Sequence, residues 1–379
     1  MIKVFKFRLY PTDAQTALMD KHMNCCRFIY NLALETKSYA YQTHRVNLSN
    51  YDLQKQMTEL RKDHDWLKEV SYDALAASMS TLDLAFNNFF ARRSKFPKFK
   101  NKNSNQSFSL RYNCNIKGNT LFIQKFREGI KIVNHRNLAG DIRHVVVSKS
   151  KTNKYFASLI VDDSSLPVAK KPVNIDTTIG LDLGLKTFAV LSDGIEIENP
   201  KHLQQSLQRL KVLHRRLSRK KKGSKNRKNA ILKLSKLYEK INNSRYHFLH
   251  TVSHEITNHY DTICLEDLNI SGMVKNHKLA LAISSASWSS FVNMLKYKAD
   301  WRGKNIIQIG IFEASTKTCS NCGGIKDMPL SERHYKCACG LSLSRDHNAA
   351  INIKKSGMKR AGELVELSAL AGAKKQELF

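Results

Sequence analysis

The sequence IGLDLGLKTFAVLSDGIEI, residues 179–197, decides the fold of the second half of the chain. Two apolar runs, at 179–182 and 188–191, flank a turn that contains glycine, and the pair Asp193–Gly194 is typical of a hairpin turn. Three short strands are therefore predicted in succession. Asp182 lies at the end of the first run, and the glycine two residues later would let a ligand approach the backbone closely.

Downstream of this stretch, helices alternate with single strands. The predicted elements are, in order, a mainly helical region at 203–257, a strand at 262–265, a helix at 286–302, a strand at 306–311 and a helix at 344–354. Three strands followed by alternating helices and strands fit a ribonuclease-H-like sheet of mixed α/β class. We assign this unit to residues 166–312 and 343–356, with a separate module inserted at 313–342.

Two further acidic segments belong to this unit. The strand ICLE ends in the adjacent acids Glu266 and Asp267, of which only one can point the same way as an acid on a neighbouring strand. In SRDHNAA, Asp346 occupies the first turn of a helix, where the helix dipole is a sufficient structural reason for an acid. Taken alone, each segment is as easily explained by a turn or a helix start as by a site.

Asp182, one acid of the 266–267 pair and Asp346 together suggest a nuclease. Two acids at strand ends and one at a helix start are the ligands that a two-metal nuclease needs. Magnesium prefers oxygen ligands and keeps several waters for substrate phosphate. Two such ions about 4 Å apart can generate hydroxide and stabilise the leaving 3′-oxygen of a phosphodiester. We therefore predict a catalytic site that holds two magnesium ions.

The inserted module carries the strongest local pattern in the chain. Four of the eight cysteines fall within 21 consecutive residues as a CxxC and a CxC pair, namely Cys319, Cys322, Cys337 and Cys339. In a reducing compartment this clustering favours a metal over disulfides, and four thiolates suit one tetrahedral structural zinc. Unliganded thiols would not explain the paired spacing. His334 and His347 lie nearby but are left out, because four cysteines already complete a zinc site.

The charge of the chain indicates a polyanionic partner. Lysine and arginine number 63 against 32 acids, a net charge of +31 spread along the whole chain, which favours nucleic acid over a membrane surface. No stretch approaches the roughly 18 uninterrupted apolar residues of a membrane span, and the N-terminus lacks a secretory signal. A cytoplasmic, nucleoid-associated prokaryotic protein is expected.

The first half of the chain is predicted to combine a β-barrel with a helical insertion. Residues 1–12 and 92–165 contain short strand patterns that suggest a small barrel or sheet, and residues 13–91 have helical periodicity.

Two basic segments are candidates for nucleic-acid contact. The first interleaves aromatic and basic residues and contains Arg92, Arg93, Lys95, Phe96 and Lys98. The second is a basic bend between helices, from His214 to Lys228, and contains Arg219, Lys220, Lys221 and Lys222. Residues 357–379 show little periodicity and are predicted to be a disordered tail.

The order of these motifs closely resembles the TnpB family of transposon-encoded proteins. GLDLGLKTFAVLSDG, CLEDLNI, WSSFVNMLKYKADWRG and STKTCSNCG…YKCACGLSLSRDHNAAINI occur in that order between residues 176 and 355. The resemblance implies a bilobed, RNA-guided DNA endonuclease related to compact type V CRISPR nucleases, with a split RuvC domain that cuts both DNA strands. It also implies a wedge-like β-barrel whose helical insertion reads a short motif beside the target. Its guide RNA would come from the transposon end, and no obligate protein partner is indicated.

The same resemblance assigns roles to residues. It implies that Asp182, Glu266 and Asp346 are the catalytic magnesium ligands, which favours Glu266 over Asp267, and that the four cysteines bind zinc. Some relatives have lost the acids and act as RNA-guided repressors, so a silent DNA-binding protein is one alternative. A transposase or accessory transposition protein is another. A zinc-ribbon transcription factor would leave the three acids unexplained.

Overall fold

The computed structural model describes residues 1–136, 138–163, 168–310, 316–329 and 332–376, with side chains up to residue 362. The chain divides into two compact units, Met1–Leu166 and Pro167–Phe379. In the ranges just given, no helix is both long and apolar enough to cross a membrane.

The described residues of the first unit form seven strands and four helices. Its strands are β1 (Ile2–Tyr10), β2 (Gln106–Leu110), β3 (Asn115–Lys117), β4 (Thr120–Ile123), β5 (Phe126–Ile132), β6 (Asp141–Lys149) and β7 (Tyr155–Asp162), and its helices are α1 (Asp13–His44), α2 (Asn50–Asp63), α3 (Asp65–Lys68) and α4 (Tyr72–Phe90). Pro11 follows β1, and Thr12 begins α1 with a capping box to Gln15. Four helices therefore lie between the first and second strands of this unit.

The seven strands form an open antiparallel sheet in the order β2-β6-β7-β1-β5-β4-β3. The predicted closed barrel is not formed, since the outer strands β2 and β3 are not paired within the described residues. One reason why the sheet does not continue past β2 lies at the end of this strand. There the carboxylate of Asp73 on α4 accepts hydrogen bonds from the backbone N–H groups of Arg111 and Tyr112. Helices α1 and α4 pack against β2, and β3 is only three residues long. Two backbone N–H groups just after β2 are thus bound by a helix side chain rather than by another strand.

The second unit is built on a five-stranded sheet. Its strands are β8 (Thr178–Leu183), β9 (Thr187–Leu191), β10 (Glu196–Glu198), β11 (Thr262–Glu266) and β12 (Asn305–Ile309), and its helices are α5 (His202–Ser218), α6 (Lys225–His259), α7 (Ile270–Met273), α8 (Ala280–Ala286), α9 (Trp288–Trp301) and α10 (Arg345–Gln376). The order is β10-β9-β8-β11-β12, in which β8, β11 and β12 are parallel and β9 is antiparallel to both of its neighbours. The five strands and the helices α5, α6, α9 and α10 occur in the predicted order, and α7 and α8 are additional helices between β11 and α9.

The two faces of this sheet are covered by different helices. On one face, Leu181 and Leu265 belong to a core cluster that also contains buried residues of α6 and α9. On the other face lies α10, which approaches so closely that a Cβ on Gly180 would come 2.0 Å from the carbonyl oxygen of Ala350. Glycine is therefore required at position 180 for the helix to pack at this distance.

Helix α10 is longer than predicted. The disordered tail expected at 357–379 is instead helical through Gln376, and residues 377–379 lie outside the described residues. Ile353 and Ala361 are buried in a cluster with Cys264, and Gly357 lies directly against that cysteine. Residues 353, 357 and 361 are four apart, so they share one helix face that packs on the sheet. Two of the three are small, which hid this apolar face from the sequence pattern.

The cysteine module contains a small hairpin of β13 (His334–Lys336) and β14 (Ser342–Ser344). Strand β14 leads directly into α10. The predicted start of the module at residue 313 lies outside the described residues. Tyr335 on β13 is fully buried, and its hydroxyl donates to the carbonyl oxygens of Lys317 and Gly324. One aromatic side chain thus joins the hairpin to the segment that carries the first cysteine pair.

Candidate active site and zinc centre

The parallel pairing of β8 and β11 aligns two of the predicted acids. Leu181 is opposite Leu265 in the register, so Asp182 and Glu266 follow side by side at the ends of their strands. Both leucines point into the core between the sheet and helices α6 and α9. Because side chains alternate along a strand, Asp182 and Glu266 point to the opposite face, the one covered by α10.

Asp346 reaches this end of the sheet from the start of α10. Ser344 stands immediately before the helix, and its hydroxyl accepts the backbone N–H of His347. The ring of His347 packs near Gly194, and its Nε2 lies 3.3 Å from the carbonyl oxygen of Ser192 in the β9–β10 turn. The His347 ring thus packs against the β9–β10 turn.

The charges of Glu266 and Asp346 act on the carboxyl group of Asp182. The pKa of Asp182 is raised to about 7, first by burial and then by the negative charges of Glu266 and Asp346, while Arg345 lowers it. The guanidinium Nε of Arg345 lies 3.5 Å from the Asp346 carboxylate. A group of acids with one partial counter-charge is the setting in which a bound cation would relieve repulsion.

Asp267 is separated from this group. Its side chain is exposed and accepts a hydrogen bond of 3.2 Å from the amide of Gln308 on β12. Strand alternation sends it to the face opposite Glu266. The two adjacent acids, which the strand pattern could not separate, therefore have different surroundings, and Glu266 is the one near Asp182 and Asp346.

The four cysteines converge on one point. The sulfur of Cys319 lies 3.7 Å from that of Cys339, and Cys322 and Cys337 are 3.6 Å apart. Four thiolates around a tetrahedral zinc, with Zn–S bonds of about 2.3 Å, would be separated by roughly 3.8 Å. The donor set and its spacing thus fit zinc.

Each cysteine pair is held in a tight turn. Gly323 donates its N–H to the carbonyl of Cys319, and Gly340 donates to that of Cys337, both with positive φ. Among the described His, Cys, Asp and Glu side chains, these cysteines are the one set of three or more whose ligand atoms all lie within 4.8 Å of one another. The three acids are spread more widely.

The predicted basic segments are at the surface of their units. Arg92, Arg93, Lys95 and Lys98 are exposed in the loop after α4, whereas Phe96 packs edge-on against Phe86 and Phe89 while remaining 49% exposed. The basic bend is shorter than predicted. Helices α5 and α6 extend through residues 218 and 225, which leaves 219–224 between them, with residues 219–222 exposed.

The structure also identifies residues that sequence reasoning missed. Gly180 sets the distance between α10 and the sheet. Asn348, Asn352 and Lys355 bind the backbone of the first cysteine turn. The signal available in the sequence was their spacing, since residues 348, 352 and 355 share one face of a helix.

Family models and known proteins match this chain along most of its length. Family models match residues 1–45 ("Helix-turn-helix domain"), residues 145–277 ("Probable transposase") and residues 288–353 ("Cas12f1-like, TNB domain"). A Streptomyces pristinaespiralis protein named "Putative RNA-guided DNA endonuclease" is 34% identical over 94% of this chain and 89% of its own length. InsQ of Escherichia coli K12, with the same designation, is 28% identical over 96% of this chain and 95% of its own.

Two further matches connect sequence and fold. A "TnpB-like protein" of Acanthamoeba polyphaga mimivirus is 33% identical over 36% of this chain and 27% of its own length. The solved Cas12f1–sgRNA–target DNA complex matches 93% of this chain and 98% of its own with a TM-score of 0.59 and 15% identity, which shows a shared mixed α/β fold. Since the motifs, the family models and a relative 34% identical across nearly its full length agree, the chain belongs to the TnpB family.

Proposed function

We propose that this protein is an RNA-guided DNA endonuclease whose second unit is a ribonuclease-H-like (RuvC) nuclease domain with an inserted zinc ribbon. The observation that carries the proposal is that Asp182 and Glu266 lie side by side at the ends of two neighbouring parallel strands, and that the charges of Glu266 and of Asp346 on α10 help to raise the pKa of Asp182. The designations of the full-length relatives support the same activity.

The acids are assigned as the ligands of catalytic magnesium. Carboxylate oxygens are the ligands that magnesium prefers, and a raised pKa at Asp182 marks a group that gains from a nearby positive charge. When bound, two such ions would activate water and stabilise the leaving oxygen of a phosphodiester. Asp182, Glu266 and Asp346 would have to be ionised to hold them, so binding and protonation compete at this site.

The zinc centre is assigned a structural role. Four thiolates fill a tetrahedral zinc and leave no open position for substrate, in contrast to catalytic zinc sites. The hairpin that supplies Cys337 and Cys339 runs directly into the helix that carries Asp346. Zinc would therefore support the active site without taking part in hydrolysis.

The first unit and the basic surfaces are assigned to guide RNA and target DNA. Residues 1–12 and 92–165 would form the wedge module, although its sheet is open, and residues 13–91 the helical region that reads a short motif beside the target. The exposed cations after α4 and in the basic bend suit phosphate, because lysine is a point charge and arginine binds phosphate oxygens directly. The net charge of +31 requires a large polyanion of this kind.

The proposal is tested by identifying the RNA that copurifies with the protein and using it to direct plasmid cleavage. Asp182→Ala, Glu266→Ala and Asp346→Ala should each abolish cutting while RNA and DNA binding persist, since each removes a metal ligand rather than a phosphate contact. Asp267→Ala is the matched control, because this acid neighbours Glu266 but points away, and it should cut normally. Calcium in place of magnesium should support binding but little cutting.

The outcomes separate the alternatives. Strong residual cleavage by any of the three alanine variants would remove that residue from the site. DNA binding without cleavage by the wild-type protein would indicate an RNA-guided repressor. DNA products with joined ends would indicate a strand-transferring transposase.

A further inference from the structure

Three side chains of α10 bind the backbone on either side of a zinc-site cysteine. Asn348 accepts the N–H of Ser320 at 2.9 Å and donates to the carbonyl oxygen of Thr318 at 2.8 Å. Asn352 donates to the same Thr318 carbonyl at 2.7 Å, and the ammonium of Lys355 donates to the carbonyl of Ser320. We call these three residues the α10 latch.

The asparagine side chains of the α10 latch are buried and bind specific backbone groups. Asn348 is fully buried, and Asn352 is 8% exposed. The side-chain oxygen and nitrogen of Asn348 both bond to the backbone that flanks Cys319, which is itself buried. A buried amide that satisfies a donor and an acceptor two residues apart holds one backbone geometry, because moving either group would leave a buried polar atom without its partner.

The latch closes a ring of contacts around the zinc site. The first cysteine turn connects through Asn348 to α10, and α10 connects through β14 and β13 to the second cysteine turn. The backbone N–H of Arg345, at the start of α10, also donates to the carbonyl of Arg333 at the β13 end. Zinc would join the two cysteine turns and complete the ring. Because the zinc and the α10 latch are separate links of the same ring of contacts, loss of either one would break the ring.

We propose that Asn348, supported by Asn352, is a positioning residue through which zinc binding orders the first turn of α10 and hence Asp346. Asp346 precedes Asn348 by two residues, so a helix start that is held at both cysteine turns presents its carboxylate in one place. The consequence for DNA cleavage rests on the proposed nuclease function. The coupling between zinc and the helix start does not depend on it.

The coupling is measured by amide hydrogen exchange of the peptide covering residues 345–349, with zinc bound and after chelation. In the wild type, removal of zinc should speed exchange in this turn by about tenfold, because a constraint made of buried hydrogen bonds is released. In Asn348→Ala, exchange should be fast already, and chelation should change it less than about twofold. Lys359→Ala, an exposed position on the same helix, should keep the full wild-type response.

Cleavage provides the second readout. Asn348→Ala should need about tenfold more magnesium for half-maximal cutting than the wild type, whereas Lys359→Ala should not. If Asn348→Ala also exchanges rapidly throughout α6, the unit has unfolded, and Asn352→Ala decides instead, since it removes a single bond and should show a reduced zinc response.

Two results would overturn the inference. A full zinc response in folded Asn348→Ala, or in Asn352→Ala where that variant decides, would mean that the β13–β14 hairpin alone transmits the metal's effect. An unchanged magnesium requirement together with a lost zinc response would separate the helix start from the active site. If the wild-type protein fails to cut guide-matched DNA, the proposed function fails while the exchange comparison still decides the coupling.

Discussion

Replacing Gly180 with alanine should damage the active site without touching any acid. A Cβ at this position would lie 2.0 Å from the carbonyl oxygen of Ala350 and 2.7 Å from the backbone nitrogen of Lys354. Since real Cβ contacts essentially never fall below 3.0 Å, α10 would have to withdraw by at least 1.0 Å at the first of these contacts. Both atoms belong to the backbone, so no side-chain rearrangement can absorb the clash.

The withdrawal should be transmitted to Asp346. This residue lies about one turn before Ala350 on α10, whereas Asp182 belongs to the same strand as Gly180. A misplacement of about 1 Å in a catalytic arrangement can lower the rate by roughly 100-fold. Overpacking of this kind should also cost about 1–3 kcal/mol of stability. We therefore expect Gly180→Ala to cut about 100-fold more slowly and to bind target DNA almost normally.

The assay is single-turnover cleavage of a linear target by the protein loaded with its guide RNA, with binding measured in parallel in calcium. Gly310→Ala is the matched control, because a Cβ there would meet no atom of the described residues within 4 Å, and it should cut at the wild-type rate. A cleavage rate for Gly180→Ala within threefold of the wild type would refute the reasoning that α10 packing sets the active-site geometry.

Three further predictions test other parts of the molecule. The purified protein should contain about one zinc, and Cys319→Ser or Cys337→Ser should lower both zinc content and cleavage; normal zinc content in both variants would exclude a metal site. Changing the exposed cations of the basic bend to glutamine should weaken binding similarly for all target sequences and flatten its salt dependence by roughly 0.7 to 0.9 log units per lost phosphate contact, the positions being Arg219, Lys220, Lys221 and Lys222. An unchanged slope would show that the bend does not contact phosphate. The pKa of Asp182 in the folded state, about 7, lies above its ordinary value of 3.8. Ionisation of Asp182 therefore destabilises the metal-free fold as the pH rises between these values, and the loss of stability reaches about 4 kcal/mol at pH 8. Asp182→Asn should therefore melt higher than the wild type at pH 8 without magnesium, and the gap should close as pH falls towards 4; equal melting temperatures at pH 8 would contradict the raised pKa.

The sequence by itself determined the local elements and the chemistry available to them. Strand β1, the helices of the first unit and the βββ-then-alternating order of the second follow from period-two and helical patterns between neighbouring residues. The paired spacing of the cysteines predicted their convergence, because both pairs lie on short turns within 21 residues. Such features depend on contacts that are short in sequence.

Tertiary structure alone decided features that join distant segments. The register between β8 and β11 separated Glu266 from Asp267, because strand alternation has meaning only once the neighbouring strand is in place. The first sheet remained open where helices α1 and α4 pack against β2 and Asp73 binds the backbone just after it. No local pattern contains these pairings.

Helix α10 shows most clearly what the sequence pattern could not predict. Its extension past residue 356 depends on Gly357 and Ala361, two small residues whose value lies in how closely they let the helix approach Cys264 and its neighbours. A hydrophobicity pattern registers apolar size and spacing, but it does not register close packing against a sheet some 90 residues earlier in the chain. The same packing brings Asp346 close to Asp182. The sequence therefore showed the three acidic motifs, but only the tertiary structure brings them together.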